Sequence, residues 1–321
     1  MTARLADRMR HGPEREEPRS PTRLAASHPP STGRRGAITA TRLLHPTSVE
    51  EAVGLLEEEP AESRVLAGAT WLMRAAKRGE ALPERLVSTS RIAALRRVEN
   101  GPTLTVGAGV THAELAARTA GERRLHGLHD AAATSANPAV RSMATVGGNL
   151  GAVSFPAADL VPALLAAAAA VIVAGDGAAE QSIGGFLGRR PAPAPLITDV
   201  RVPSWFDASA HARLTLRAAG DYPVAIVSVA MSASADRVVE DVRVAVGSLE
   251  PTATRWTALE AALKGTSVDA DAAHAAARDL CANLAARDGV EAPAWYRREV
   301  VPSLVRHAMQ TVFEDLTRET G

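Results

Sequence analysis

The sequence predicts a two-domain α+β protein, and three observations lead there. Its 321 residues exceed what one hydrophobic core usually holds together. The first half repeats an order of short strand, small-residue turn and helix, as at Arg64 to Arg78 and Leu104 to Arg118. The second half instead opens with long alternating strands and closes with helices, which is the pattern of a sheet backed on one face.

Taken in order, residues 1–36 mix Arg, Glu, Pro and Ser without apolar periodicity and read as an extension that offers little surface to repay ordering. Thr47 or Ser48 caps a helix over Glu50 to Glu59, with Val53, Leu55 and Leu56 as its buried stripe. A strand at Arg64 to Leu66 enters Ala67-Gly68-Ala69-Thr70, and Trp71 to Arg78 resumes a helical pattern. Strands at Arg85 to Val87 and Leu104 to Val106 follow, the second entering Gly107-Ala108-Gly109-Val110-Thr111, where Thr111 caps the helix His112 to Arg118. Neither turn has the glycine spacing of a Rossmann fingerprint or of a nucleotide-triphosphate loop.

The most informative stretch is Asn137 to Gly151. Thr145-Val146-Gly147-Gly148-Asn149 combines glycines, a hydroxyl and an amide, which lets a ligand approach the backbone and hydrogen-bond to it. Asp159 precedes the apolar helix Leu160 to Ala169, where a carboxylate either caps free amides or accepts hydroxyls from a sugar-like ligand. Val171 to Val173 and Ala179 to Ser182 form a hairpin about Gly175-Asp176-Gly177. A proline-rich loop, Pro191 to Pro195, then leads to Leu196 to Pro203, read as an edge strand leaving the first domain near Trp205. Strands at His211 to Arg217, Val224 to Met231 and Val238 to Val246 build the second sheet, and Arg255 to Leu263, Asp271 to Ala286 and Trp295 to Arg318 its helices, the last kinked or interrupted at Pro302.

Ala67-Gly68-Ala69-Thr70, Gly107-Ala108-Gly109-Val110-Thr111 and Thr145-Val146-Gly147-Gly148-Asn149, in that order, make the chain resemble the FAD-binding medium subunit of the molybdenum hydroxylases, the family of xanthine dehydrogenase and aerobic carbon monoxide dehydrogenase. Asp241 to Gly247 and Trp295-Tyr296-Arg297-Arg298 resemble the C-terminal signatures of that family. The resemblance implies a non-Rossmann, vanillyl-alcohol-oxidase-like FAD fold over 37–205, with subdomains of about 37–95 and 96–205, then a C-terminal α+β domain over 206–314 and a tail, 315–321. It implies FAD as cofactor, a small partner with two [2Fe-2S] clusters, a large molybdopterin-binding partner, a dimer of such heterotrimers, and NAD or another acceptor for the electrons. Two other readings stay open: a free-standing flavoprotein oxidoreductase, and a scaffold on the same fold without flavin.

By the same resemblance, Leu66, Ala67, Gly68, Ala69, Thr70 and Trp71 belong to the first pyrophosphate loop, and Thr145, Gly147, Gly148 and Asn149 to the second flavin loop. Both turns are expected to present peptide N–H groups to one diphosphate. The family more often has Gly at Ala69, whose Cβ is accommodated if its φ is negative. Trp71 packs either on the cofactor or, as the preferred reading, in the core. Thr111 resembles the threonine of the central turn, and an ordinary cap serves as well. Asp159 resembles the acidic residue after the proline segment, here one residue later because of Phe155. Leu196 stands where the family packs an apolar side chain beside the flavin, Arg213 where a lysine often reaches toward it, and Ser135 where some members have an aromatic ring. No side chain is expected to act as a nucleophile, since a flavin carries its own redox chemistry.

Composition narrows the alternatives. Four Trp, two Tyr and four Phe supply too few rings for a nucleic-acid stacking surface, and 36 basic against 36 acidic side chains generate no global field. Cys281, the single cysteine, leaves any iron–sulfur cluster to a partner and reads as a small buried side chain. Met1 to Arg10 lacks the apolar core of a secretory signal, and the alanine-rich run near Leu164 is too short to span a bilayer, so a cytoplasmic protein is expected. No histidine spacing defines a metal site, and the Arg pairs, Arg297-Arg298 among them, read as solvated surface.

Overall fold

The computed structural model describes residues 41–152, 155–175, 179–189, 195–216 and 222–318. The expected extension 1–36, the turn residues Asp176 and Gly177, the proline-rich segment as far as Ala194, and tail residues 319–321 lie outside the described residues.

The first sheet is parallel. Strands β1 (Arg42–Leu44), β2 (Ser63–Leu66) and β3 (Arg85–Ser88) take the order β1-β3-β2, with Leu43 opposite Leu86 and Val65 opposite Val87. Helix α1 (Val49–Glu58) makes the crossover between β1 and β2. Its cap is Ser48, whose hydroxyl accepts the Glu51 amide at 3.1 Å, while Glu51 reaches back to the Thr47 amide at 2.8 Å. The segment after Trp71 is a 3-10 helix, Leu72–Arg78, closed by Gly79 at a φ of 73°.

Strands β4 (Val98–Glu99), β5 (Thr103–Gly107), β6 (Ala170–Val173), β7 (Ala179–Ser182) and β8 (Ile197–Pro203) form an antiparallel sheet in the order β4-β5-β8-β6-β7. The hairpin β6–β7 forms with Val171 opposite Gln181. Strand β8 is central, not the edge that its proline suggested. Pro203 is its last residue, opposite Thr103 at the end of the ladder, so the missing N–H interrupts no interior pairing. Helices α2 (His112–Thr119), α3 (His126–Thr134), α4 (Pro138–Arg141), α5 (Val146–Gly151), α6 (Leu160–Ala166) and α7 (Ile183–Arg189) accompany this sheet. The capping box expected at Thr111 is present, with the Glu114 amide donating to Thr111 Oγ1 at 3.2 Å and the Thr111 amide to Glu114 Oε2 at 2.8 Å. Helix α3 has no counterpart in the sequence reading, because its first residues carry no side-chain cap and its second is Gly127.

Strands β9 (Ala208–Thr215), β10 (Pro223–Ala233), β11 (Val239–Gly247) and β12 (Thr254–Arg255) make an antiparallel sheet ordered β12-β11-β10-β9. Helices α8 (Thr257–Leu263), α9 (Ala270–Leu280) and α10 (Ala294–Thr317) cover one face through Val227, Val244, Val301 and Val305. Helix α9 stops at Leu280, short of the expected Ala286, and Pro302 lies inside α10 without ending it. This sheet meets the first lobe where α3 crosses β9. A Cβ at Gly127 would lie 2.9 Å from the Ala210 backbone, and the Gly127 amide donates to Ser209 Oγ at 2.9 Å.

Arg297 departs from expectation, and His112 is buried as well. Arg297 is 0% exposed, not a solvated surface arginine. Its guanidinium donates to the carbonyls of Val224 at 2.6 Å, Ser248 at 3.2 Å and Ala292 at 3.3 Å, and to Glu291 at 3.0 Å, so it stitches β10 to the turn after β11 and to the segment before α10. His112 at the start of α2 is buried, with Nδ1 2.8 Å from Ser135 Oγ. Burial pulls its pKa down to about 4, against the opposing pull of the Asp159 carboxylate.

Substituting Arg297→Met leaves these carbonyls and Glu291 without their donor, and chemical denaturation is expected to register a loss of about 3 kcal/mol or more. His112 is neutral in the folded chain and binds a proton more readily unfolded. Its contribution is therefore complete above about pH 6.5 and is lost as pH falls toward 4. The stability difference between wild type and His112→Asn should shrink by up to about 3 kcal/mol across that window in urea titrations.

Candidate functional site

A cleft of about 650 Å³ opens between the first sheet and the α5 region, within the size range of small-molecule sites. Three small-residue turns build it by stacking backbone on backbone. Gly107 and Gly109 lie against the Leu95 carbonyl, where an added Cβ would fall at 2.3 and 3.0 Å. Gly147 lies on Ala108, with its own virtual Cβ 2.6 Å from the Ala108 side chain and its amide donating to the Ala108 carbonyl at 2.8 Å. Gly68 lies on the segment just before α5, where a Cβ would come within 1.9 Å of the Met143 carbonyl oxygen. The first and second turns are thus neighbours, and a Cβ at Gly148 would sit 3.4 Å from that of Ala67.

The two turns differ in what they leave to a ligand. In the second, every amide from Val146 to Asn149 is spent. Val146 donates to Val110 at 2.9 Å, Gly147 to Ala108, Gly148 to the capping Thr145 hydroxyl at 3.1 Å, and Asn149 to the Thr145 carbonyl at 2.9 Å. The expectation that both turns present peptide N–H groups is corrected here, because Thr145 starts a helix and the central turn takes the remaining donors. In the first turn, the amides of Gly68, Ala69 and Thr70 donate to no partner among the described residues. Ala69 sits at a φ of 62°, against the negative φ expected of it. A left-handed residue within a run of free amides is the geometry of an anion-binding nest.

Ala67, Gly68, Ala69, Thr70, Trp71, Thr145, Gly147, Gly148, Asn149 and Leu196 all line the cleft. Asn149 Oδ1 is buried and accepts no hydrogen bond among the described residues, which leaves an acceptor for a ligand hydroxyl. Trp71 is half-buried, lines the cleft and stacks on Phe155, which packs against the main core. Leu66 ends β2, with its carbonyl accepting the Thr89 amide at 3.0 Å, and is not part of the lining. Thr111 is also outside it, held in its capping box and bridged to Thr145.

Asp159 and Arg213 stand apart from the cleft lining and together. Asp159 has helical backbone angles, a φ of −64° and ψ of −38°, which turn its carboxylate away from the α6 amides, so it caps nothing. Buried at 2% exposure, it instead approaches Arg213 Nε at 2.8 Å and His211 Nε2 at 3.6 Å. Arg213 also donates to the Thr134 carbonyl at 2.6 Å. The pair ties α6 and α3 to β9. Arg78, Phe155 and Pro195 line the cleft without having been singled out as ligand contacts; Phe155 was visible only as an inserted residue. Among the described residues no helix is long and apolar enough to cross a membrane.

A site with a nest of amides, a buried amide acceptor and an apolar wall suits an elongated ligand with a diphosphate and hydroxyls. Comparison with known proteins agrees. The family described as FAD binding domain in molybdopterin dehydrogenase matches residues 39–205, and that described as CO dehydrogenase flavoprotein C-terminal domain matches residues 211–312. The carbon monoxide dehydrogenase medium chain of Hydrogenophaga pseudoflava is 30% identical, over 84% of this chain and 95% of its own length. The nicotine 6-hydroxylase medium subunit of Paenarthrobacter nicotinovorans is 28% identical, over 85% and 97% respectively. A solved carbon monoxide dehydrogenase from H. pseudoflava, lacking the molybdenum–pyranopterin moiety, superposes with a TM-score of 0.78 at 27% identity, covering 86% of this chain and 98% of that one. With a two-domain α+β fold, a nest-lined cleft and both halves matched, the chain belongs to the family of FAD-binding flavoprotein medium subunits of the molybdopterin dehydrogenases.

Proposed function

We propose that this chain is the electron outlet of a three-part molybdenum hydroxylase, with FAD bound in the cleft between the first sheet and α5. Its diphosphate rests on the Gly68, Ala69 and Thr70 amides, and its ribityl hydroxyls reach Asn149 Oδ1. The reading is carried by one observation: three amides around a left-handed residue, unpaired among the described residues, share a cleft with a buried acceptor that has no donor among them. When bound, the flavin supplies the exchange between one-electron and two-electron carriers that amino-acid side chains do not offer.

The residues of the chain bind and orient. Leu196 and Ile197 supply apolar wall, and the Thr145 cap keeps α5 in place beneath the glycines. Thr111, Asp159 and Arg213 act one layer behind, the first by fixing the turn under Thr145 and the other two by fastening β9 to the lobe. A small partner carrying two [2Fe-2S] clusters delivers electrons that a large molybdopterin-binding partner takes from substrate. An external acceptor such as NAD removes them, and the whole assembles as a dimer of heterotrimers.

The purified chain should carry FAD stoichiometrically, and its flavin should bleach with an oxidisable substrate only when both partner chains are present. Bleaching by substrate without partners would refute this division of labour, and a chain without FAD affinity would remove its basis. Two substitutions separate the roles within the site. Ala69→Gly relieves the left-handed strain and should raise unfolding free energy by up to about 1 kcal/mol while preserving FAD binding. Asn149→Ala deletes a buried, unsatisfied acceptor, so thermal melts should show an apo form unchanged or firmer. Equilibrium titration should meanwhile show FAD affinity falling roughly tenfold.

A further inference from the structure

Three of the chain's ten aromatic residues gather at the rim of the cleft: Trp71 from the first turn, Phe155 from the segment before α6, and Tyr222 at the start of β10. Trp71 and Phe155 are stacked, with ring centres 4.4 Å apart and planes 29° from parallel. Tyr222 meets Phe155 edge-on at 5.3 Å and Trp71 at 6.4 Å. Two guanidinium groups close the ends. That of Arg78 lies 4.0 Å from the centre of the Trp71 ring, and that of Arg74 lies 5.4 Å from Tyr222 and donates to its hydroxyl.

The indole is thus in contact with both Phe155 and Arg78. These contacts join distant parts of the chain. Trp71 follows directly on the free amides of the first turn, and Arg78 closes the same segment by donating to the Trp71 carbonyl at 2.9 Å. Tyr222 immediately precedes β10 of the C-terminal sheet, while Trp71, Phe155 and Arg78 also line the cleft.

We propose that Arg78, Trp71, Phe155, Tyr222 and Arg74 form a clasp that retains bound FAD by fastening the first turn to the C-terminal sheet. The inference rests on FAD occupying this cleft. Ring pairs and cation–π contacts are individually modest, and they act together because one ring cannot leave without releasing its neighbours. The clasp acts on departure of the cofactor, which has to part these contacts to leave.

The test uses the full chain loaded with FAD. Release into excess scavenger and association with the apo form are timed separately by flavin fluorescence, for wild type, Trp71→Leu, Phe155→Leu, Tyr222→Phe and Arg78→Gln. Trp71→Leu and Phe155→Leu should speed release about tenfold with association nearly unchanged, Tyr222→Phe and Arg78→Gln about threefold. Combining Trp71→Leu with Phe155→Leu should give less than the product of the two effects, as parts of one stack do. The two milder variants keep the test open should a leucine variant fail to fold. Unchanged release in every folded variant, with wild type still holding one FAD, overturns the clasp and leaves the binding site standing. Slower association with unchanged release also overturns it, by making these side chains part of the binding surface. A wild-type chain that takes up no FAD overturns both.

Discussion

Backbone lying directly on backbone is the constraint on which the rest of the site depends. Gly68 rests on the Met143 carbonyl, Gly147 on Ala108, and Gly107 with Gly109 on the Leu95 carbonyl. A Cβ at Gly68 or Gly107 would overlap a main-chain carbonyl and one at Gly147 the Ala108 Cβ, none of which can swing aside as the end of a flexible side chain can. Because the turns touch, the unpaired amides at Gly68 to Thr70 and the acceptor of Asn149 face one cleft rather than two separate surfaces.

The stack also explains an asymmetry between turns that look alike in sequence. Thr145 opens a helix, so its hydroxyl claims the Gly148 amide, and the central turn claims those of Val146 and Gly147. The second turn is thereby rigid and contributes shape and the Asn149 side chain. The first lies between a strand and a 3-10 helix, and its three amides keep their donors, at the cost of a left-handed alanine. Strain at Ala69 is thus stored in the lining of the cleft. The C-terminal sheet reaches this region twice, through the buried Asp159–Arg213 pair and through Tyr222 at the rim. This gives the sheet a physical part in an FAD-binding electron-transfer subunit of a multi-subunit molybdenum and iron–sulfur enzyme.

Much of this was legible from residue order because its causes are local. Ser48, Thr111 and Thr145 cap helices through donors three residues ahead, and the alternation of Val242, Val244 and Val246 writes a strand with one buried face. Ten of the candidate ligand residues do line a single cleft. Other features were left open because two residues compete for the same group. Asp159, open between a cap and an acceptor of ligand hydroxyls, pairs with Arg213, and Trp71, open between cofactor contact and core, packs with Arg78 and Phe155.

The sequence by itself determined the two-part α+β plan, the caps, the three small-residue turns and the family to which they point, since each is encoded within a few neighbouring positions. Only the tertiary structure decided that β8 is central, that Arg297 is buried among carbonyls, and that the second turn spends its amides while the first keeps them. The physical reason is that a buried donor or charge takes its partner from whatever segment packs beside it. For Arg297 and Val224, or Gly147 and Ala108, that segment lies far along the chain and leaves no periodic trace.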